Sequence, residues 1–260
     1  MESHFTEAFH AARGPSEIQS TQVNAEQKAV FLTNGYLLLE QCICNTFLNR
    51  IQLSLEQWVD CTISDWKARG LITENFSRLN FDRRLYHAWL ASNKAYLSIN
   101  EGLSDFNIID DLLNDKFLAI STQLLGSNSV APLAGSFFRA KLPEQNFSSI
   151  PWHQDAQCID PITDANFLTL WVPLVDIGES NSCLEIADID IDRGIYKRCY
   201  PPGAPYVGMQ APDIDNLVNK RKVLMRRGDI LCIHKYLPHR SLHNNSDRIR
   251  WSLDIRYQSI

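Results

Sequence analysis

The sequence predicts an α+β protein that is mainly β: a double-stranded β-helix, or jelly roll, braced by N-terminal helices. Apolar residues recur at helical spacing through the first half, and beyond Gly126 they contract into strand-length runs separated by turn residues. No helix-length segment lies between the later runs to make parallel crossovers, which leaves antiparallel pairing in two packed sheets.

Residues 1–23 lack apolar periodicity and are expected to form a flexible tail ahead of one domain over 24–260. Its helical layer is expected over about 24–126 and its jelly-roll core over about 127–260. Asn24 is placed to cap a helix over AEQKAVFLT, Asn34-Gly35 ends it, and YLLLE at 36–40 reads as a buried strand. Phe47, Ile51, Leu55 and Trp58 mark a second helix and Leu85 and Trp89 a third, while FNIIDDLLNDKFLAISTQLLG runs to Gly126 as a C-cap. The strand runs that follow are VAPLAGSFFRAKL, the stretch SIPWHQDAQ, FLTLWVPLVDI, SCLEIADI, KVLM, DILCIHKY and RWSLDIRY. Between them, residues 188–222 carry Pro201-Pro202-Gly203, Pro205 and Pro212 without periodicity, and this segment is expected to be an extended loop or lid.

Composition excludes several function classes. The 260 residues are 45% hydrophobic and 21% charged with a net charge of −5, which supplies no basic field for nucleic acid. The seven cysteines are scattered and include no CxxC pair, so reduced thiols are expected rather than a disulfide framework or a thiolate zinc site. The first twenty residues show no apolar h-region, and no segment reaches eighteen uninterrupted apolar residues, so a cytoplasmic protein without a membrane partner is expected.

The chemistry concentrates at two places. In SIPWHQDAQ, a strand would put His153 and Asp155 on one face, offering an imidazole and a carboxylate as two arms of a metal chelate, with Gln154 facing away. A second imidazole would complete a facial triad of two His and one carboxylate, the set suited to iron(II) with open positions. His234, His239 and His243 compete for that third place. In the last strand Arg250, Ser252, Asp254 and Arg256 share a face opposite Trp251, Leu253, Ile255 and Tyr257. Such a polar row is ordinarily a solvated strand face, whereas beside a metal an Arg offers a planar fork for a carboxylate and a Ser hydroxyl adds a further bond.

The stretch His153-Gln154-Asp155, followed by GDILCIHKYLPHRSLHNNSDRIR, resembles the phytanoyl-CoA dioxygenase family of iron(II) and 2-oxoglutarate-dependent enzymes. That family has a Gly-Asp before the strand leading to its distal histidine, which begins an H-x-S-x-x-N-x-S-x-x-x-R pattern. Here Gly228-Asp229 are followed by His239, Ser241, Asn244, Ser246 and Arg250. AEQKAVFLTNGYLLLE is similar to the family's opening helix and strand, so the likeness covers most of the chain from about residue 24. The resemblance implies that His153, Asp155 and His239 ligate iron(II) and that Arg250 pairs with the distal carboxylate of 2-oxoglutarate. It further implies cosubstrate contacts at Ser241, Ser252 and Trp171, the use of O₂, and oxidation, most simply hydroxylation, of an unactivated C–H bond. The aromatic and cationic side chains of the loop and helices suggest a free small molecule such as a natural-product intermediate, with a CoA or carrier-protein thioester as the alternative.

His234 matches a non-ligand histidine of the family, and His243 is expected in a polar turn. The retained Asp155 argues against halogenation, since halogenating relatives carry a small residue there. The family's Pro-Gly-Ser-His turn is replaced by Asp188-Ile189-Asp190-Ile191, so the substrate side is the less determined. The mouth of the pocket is expected between Tyr196, Lys197, Arg198, Tyr200 and Tyr206 on one side and Arg83, Arg84, Tyr86 and His87 on the other. The alternatives are a catalytically silent binding protein and a non-redox metal enzyme on the same barrel.

Overall fold

The computed structural model describes residues 22–97, 115–133, 137–144, 149–159, 165–190, 192–200 and 206–260. The tail expected over 1–23 lies outside them apart from Gln22 and Val23. Helix α1 (Ala25–Asn34) begins with a capping box: Gln27 N–H donates to the Asn24 side chain at 2.8 Å and Asn24 N–H to the Gln27 side chain at 3.0 Å. It ends at Gly35, whose φ of 75° is the left-handed value glycine tolerates, and where a Cβ would meet Ile189 at 2.7 Å. Strand β1 (Tyr36–Leu39) follows, then α2 (Asn45–Ala68), α3 (Phe81–Ala91) and α4 (Asp115–Leu125). The start of the fourth predicted helix, 106–114, is not among the described residues.

The β half consists of β2 (Val130–Pro132), β3 (Phe137–Lys141), β4 (Phe167–Pro173), β5 (Leu184–Ile186), β6 (Arg198–Cys199), β7 (Gly208–Met209), β8 (Arg221–Val223), β9 (Ile230–His234), β10 (His239–Ser241) and β11 (Arg250–Ser259). Two short helices interrupt it, α5 (Asp155–Cys158) and α6 (Ala211–Asp215). The major sheet has the order β1-β9-β4-β11-β2, with β3 on the same edge of β11 as β2, and the facing sheet is β10-β5-β8. Every pair is antiparallel. This is a jelly roll with helices against the outer face of its larger sheet.

Strand alternation divides the apolar side chains into two cores. Leu168, Leu170, Val172, Cys232, Trp251, Leu253, Ile255 and Tyr257 face the helices and join Phe47, Ile51, Leu55 and Trp58 of α2. Trp251 is fully buried there, stacked on Phe81 at 4.9 Å between centroids and edge-on to Trp58 at 6.3 Å. Trp171, Leu231, Ile233, Leu184 and Ile186 point inward, between the two sheets. Residues 188–222 are not the featureless loop expected: they contain β6, β7, α6 and the start of β8. Among the described residues no helix is long and apolar enough to cross a membrane.

His234 closes β9 against Phe31 of α1, with ring centroids 5.9 Å apart, and burial followed by the Lys235 charge holds its imidazole down to about 4. An unfolded histidine takes up its proton near 6.5, so between those values the unfolded chain binds the extra proton and stability rises with pH. Lowering the pH from 7 to 5 is therefore expected to reduce the melting temperature of the metal-free protein. His234→Phe, which has no proton to gain, should flatten that slope; an unaltered slope would show that other groups govern it.

Candidate metal centre

His239 opens β10 immediately after Pro238, and its backbone exchanges both hydrogen bonds with His153 at 2.9 Å each. Directly opposed residues in such a pair send their side chains to the same side, and the two imidazoles lie 4.2 Å apart between centroids. Asp155 does not sit on a strand with His153, contrary to the sequence expectation. After His153 the chain turns into the single-turn helix α5, where Gln157 caps Gln154 N–H at 2.9 Å and Ala156 N–H is taken by Lys235 O at 3.0 Å. With those groups committed the ladder cannot continue, and Asp155 reaches the site as the first residue of the turn. One ligand-capable atom from each of His153, Asp155 and His239 lies within 4.8 Å of the others, and all three residues are buried.

The surroundings fix the chemical form of each group. His153 Nδ1 lies 2.9 Å from Pro151 O and His239 Nδ1 2.9 Å from Leu237 O. A carbonyl only accepts, so both Nδ1 atoms carry the proton and each Nε2 keeps its lone pair for a metal. Burial, then His239, pushes the His153 imidazole down to about 3, leaving it neutral at pH 7. Burial alone would raise the Asp155 carboxyl, but Arg256, the two histidines and Thr169 outweigh it and hold the group well below the usual carboxylate range. Thr169 Oγ1 donates to Asp155 Oδ2 at 2.5 Å and Arg256 Nη2 to Oδ1 at 2.9 Å. A neutral His153 imidazole and an ionised Asp155 carboxylate are forms that metal binding requires, and with the His239 imidazole beside them the donor set fits iron(II).

The polar face of β11 is not solvated. Arg250, Ser252, Asp254 and Arg256 are at most 6% exposed and line the space between the sheets. The reason lies in the register: Arg256 opposes Thr169 and Asp254 opposes Trp171, which turns these side chains to the concave side. Arg250 donates to Ser252 Oγ, and its guanidinium sits 5.3 Å from the centre of the Trp171 ring. Ser241, Trp171 and Arg250 line one cavity with His153, Asp155 and His239. Sequence reasoning did not single out Thr169 or Arg256 as supports for Asp155; same-face spacing from Arg250 was the signal for the second.

The rest of the motif is structural. Asn244 Nδ2 donates to Lys141 O at 2.8 Å and Arg248 O at 2.7 Å, while Ser246 donates to Asn244 Oδ1, which ties the β10–β11 turn to β3. Gly228, at φ 94°, stands where a Cβ would meet Ile43 O at 3.0 Å, and Asp229 accepts from Gln41 and Arg226 N–H groups. His234 packs on α1, and exposed His243 meets Ser149 at 2.9 Å; neither joins the triad.

The expected mouth residues are occupied elsewhere. Arg83 pairs with Asp247, Arg84 with Asp60, and Tyr86 OH with Glu144. None of the nine residues expected to frame the mouth lines the triad's cavity among the described residues. Tyr196 and Arg198 instead tie their segment to the turn that carries Asp155. Gln154 Nε2 donates to Gly194 O at 3.0 Å and its Oε1 accepts from Tyr196 N–H at 2.7 Å; Gln157 Nε2 reaches Tyr196 O at 2.9 Å, and Arg198 donates to Gln157 O.

The profile described as "Phytanoyl-CoA dioxygenase (PhyH)" matches residues 31–252. The chain belongs to that family. Its members are non-haem iron(II) and 2-oxoglutarate-dependent dioxygenases, and His153, Asp155 and His239 form a buried group that could hold such an ion. A Caenorhabditis elegans protein named "Probable phytanoyl-CoA dioxygenase" is 23% identical over 244 residues, spanning 90% of this chain and 75% of that protein. Among solved structures, EvdO2 from Micromonospora carbonacea var. aurantiaca complexed with 2-oxoglutarate superposes with a TM-score of 0.66 at 14% identity, covering 92% of each chain. The non-heme alpha ketoglutarate dependent carbocyclase SnoK from nogalamycin biosynthesis gives 0.58 at 16% identity, covering 92% of this chain and 85% of its own. At these identities the two structures establish the common fold.

Arg256 and Thr169 hold the two oxygens of Asp155, and groups that orient a metal-binding carboxylate are typically worth about 10- to 100-fold in metal affinity. Arg256→Met is expected to weaken anaerobic iron(II) binding by that order in a competition titration with a chelating dye. Unchanged affinity would show that Asp155 is held without it.

Proposed function

We propose that this family member hydroxylates an unactivated C–H bond of a small molecule, one drawn from secondary metabolism, converting 2-oxoglutarate and O₂ to succinate and CO₂. The observation that carries the reading is Arg250: a guanidinium 1% exposed, with a serine and an aromatic ring as neighbours and no salt bridge to any described carboxylate. A buried, unpaired cation is costly unless an anion completes it, and this one faces the same cavity as the triad. A dicarboxylate that chelates a metal at one end and meets Arg250 at the other satisfies both.

In this reading His153, Asp155 and His239 hold iron(II). Arg250 takes the distal carboxylate of 2-oxoglutarate, Ser241 adds a hydrogen bond, Ser252 steadies the guanidinium and Trp171 forms a wall beside it. Iron(II), with cosubstrate and O₂, supplies the oxidising power that removes a hydrogen atom from the substrate. The protein's own work is to fix orientation and exclude water. Retention of the Asp155 carboxylate, with both oxygens occupied by Thr169 and Arg256, favours transfer of oxygen over halide.

Anaerobic addition of iron(II) and 2-oxoglutarate should produce the visible charge-transfer band of the chelate, lost in Asp155→Ala and His239→Ala. Arg250→Ala should raise the 2-oxoglutarate requirement roughly 10- to 150-fold, the value of hydrogen bonds to a charged group; an unchanged requirement would remove Arg250 from the role. With substrates drawn from a small-molecule library, succinate release should be accompanied by one ¹⁸O atom from ¹⁸O₂ in the product. Succinate with an oxygen-free cyclised or desaturated product would overturn the hydroxylase assignment, and no succinate at all would favour a silent or non-redox barrel.

A further inference from the structure

Behind Ser241, which lines the cavity, lies a second buried basic side chain that the reading above does not use. Lys141 ends β3, is 2% exposed, and lies directly opposite Arg250 in the β3–β11 register. Like charges facing each other across a strand pair are destabilising, and neither makes a salt bridge with a described residue. The carboxylates nearby are committed elsewhere: Asp155 to Arg256 at 2.9 Å and Asp254 to Arg139 at 2.7 Å. Burial, followed by the Arg250 and Arg139 charges, pushes the Lys141 ammonium down to about 6 in the ligand-free chain, and an anion seated beside it would raise it again and keep it charged.

Hydrogen bonding gives Lys141 a specific task. Its Nζ donates to Ser241 Oγ at 2.7 Å and to Leu242 O at 2.6 Å, and Ile150 N–H also donates to Ser241 Oγ at 3.0 Å. A hydroxyl has two accepting lone pairs and one hydrogen. While Lys141 is charged its Nζ has no lone pair and can only donate, so with both Ser241 lone pairs filled the hydroxyl hydrogen is left to donate, and Ser241 lines the cavity beside Arg250. A hydroxyl constrained in this way cannot turn to accept, so it recognises an acceptor and rejects a donor.

We propose that Lys141 is a positioning residue of the cosubstrate site: it locks the Ser241 hydroxyl as a donor and, facing Arg250, makes this end of the barrel a seat for the distal carboxylate of 2-oxoglutarate. This rests on the cosubstrate reading above. Lys141 acts through Ser241, so its effect depends on that hydroxyl and on a ligand that carries the distal carboxylate.

The test is anaerobic titration of the iron(II)-loaded full chain with 2-oxoglutarate and with 2-oxobutanoate, which offers the same chelating end but no distal carboxylate, following the visible charge-transfer band. Lys141→Met should bind 2-oxoglutarate about tenfold more weakly and 2-oxobutanoate as the unaltered protein does. In a Ser241→Ala background the same substitution should have little further effect. Equal weakening for both acids would mark Lys141 as a packing residue, and full additivity with Ser241→Ala would show that it does not act through the hydroxyl; either overturns the proposal. If Lys141→Met does not fold, Lys141→Gln, which retains a donor and removes the charge, is held to the same comparison between the two acids. A wild-type protein that shows no band with either acid would instead remove the cosubstrate reading, and this proposal with it.

Discussion

The architecture depends on the two-sidedness of β11. Its ten residues pair with β4 along one edge and with β3 and β2 along the other, so its alternate side chains are forced to opposite sides of a covered sheet. Trp251, Leu253, Ile255 and Tyr257 take the helix side and supply the core that holds α2 and α3. The same geometry drives Arg250, Ser252, Asp254 and Arg256 into the interior, where charge is tolerated only with partners. A one-residue slip would exchange the two sets and destroy both the core and the charged interior. Register is therefore the constraint on which stability and site assembly both rest.

Inside the barrel the charges are arranged by distance from the triad. Asp155 and Asp254 each have a guanidinium partner, and the pairing keeps both carboxylates from competing for Arg250 and Lys141. What remains is a basic end, where Lys141 and Arg250 face each other across β3 and β11, and an end that carries the two imidazoles on the bridge between His153 and His239. The apolar wall of Trp171, Leu231 and Ile233 runs alongside. Because these elements belong to two sheets and three strand pairs, no single local segment could build the site alone.

Much of this was legible in the sequence. Helical spacing in α2, the cap at Asn24 and the strand runs from Phe167 and Arg250 follow from local chemistry, and His153-Gln154-Asp155 together with the motif from Gly228 to Arg250 pointed to the three side chains that the fold brings together. Misreadings occurred where tertiary contacts decide. Asp155 looked like a strand residue because period-two spacing says nothing of the Gln157 cap that turns the chain. For the polar row of β11 the strand alone left a solvated face and a site-facing one both open, because a single strand does not reveal which face its sheet encloses. Arg83 and Arg84 looked available because their partners, Asp247 and Asp60, are distant in sequence. Lys141 carried no local signal, since its meaning arises only from its cross-strand position opposite Arg250.

Gln154, the residue between two candidate ligands, holds residues 194–196 solely through main-chain groups, the carbonyl of Gly194 and the N–H of Tyr196, and Gln157 does the same with the carbonyl of Tyr196. Such a clasp is blind to the side chains of Ile195 and Tyr196. Both can be exchanged without breaking a bond that braces the turn carrying Asp155, whereas Arg198, whose side chain donates to Gln157 O, cannot. The backbone of this segment is thereby coupled to the triad while the identity of its central side chains is not.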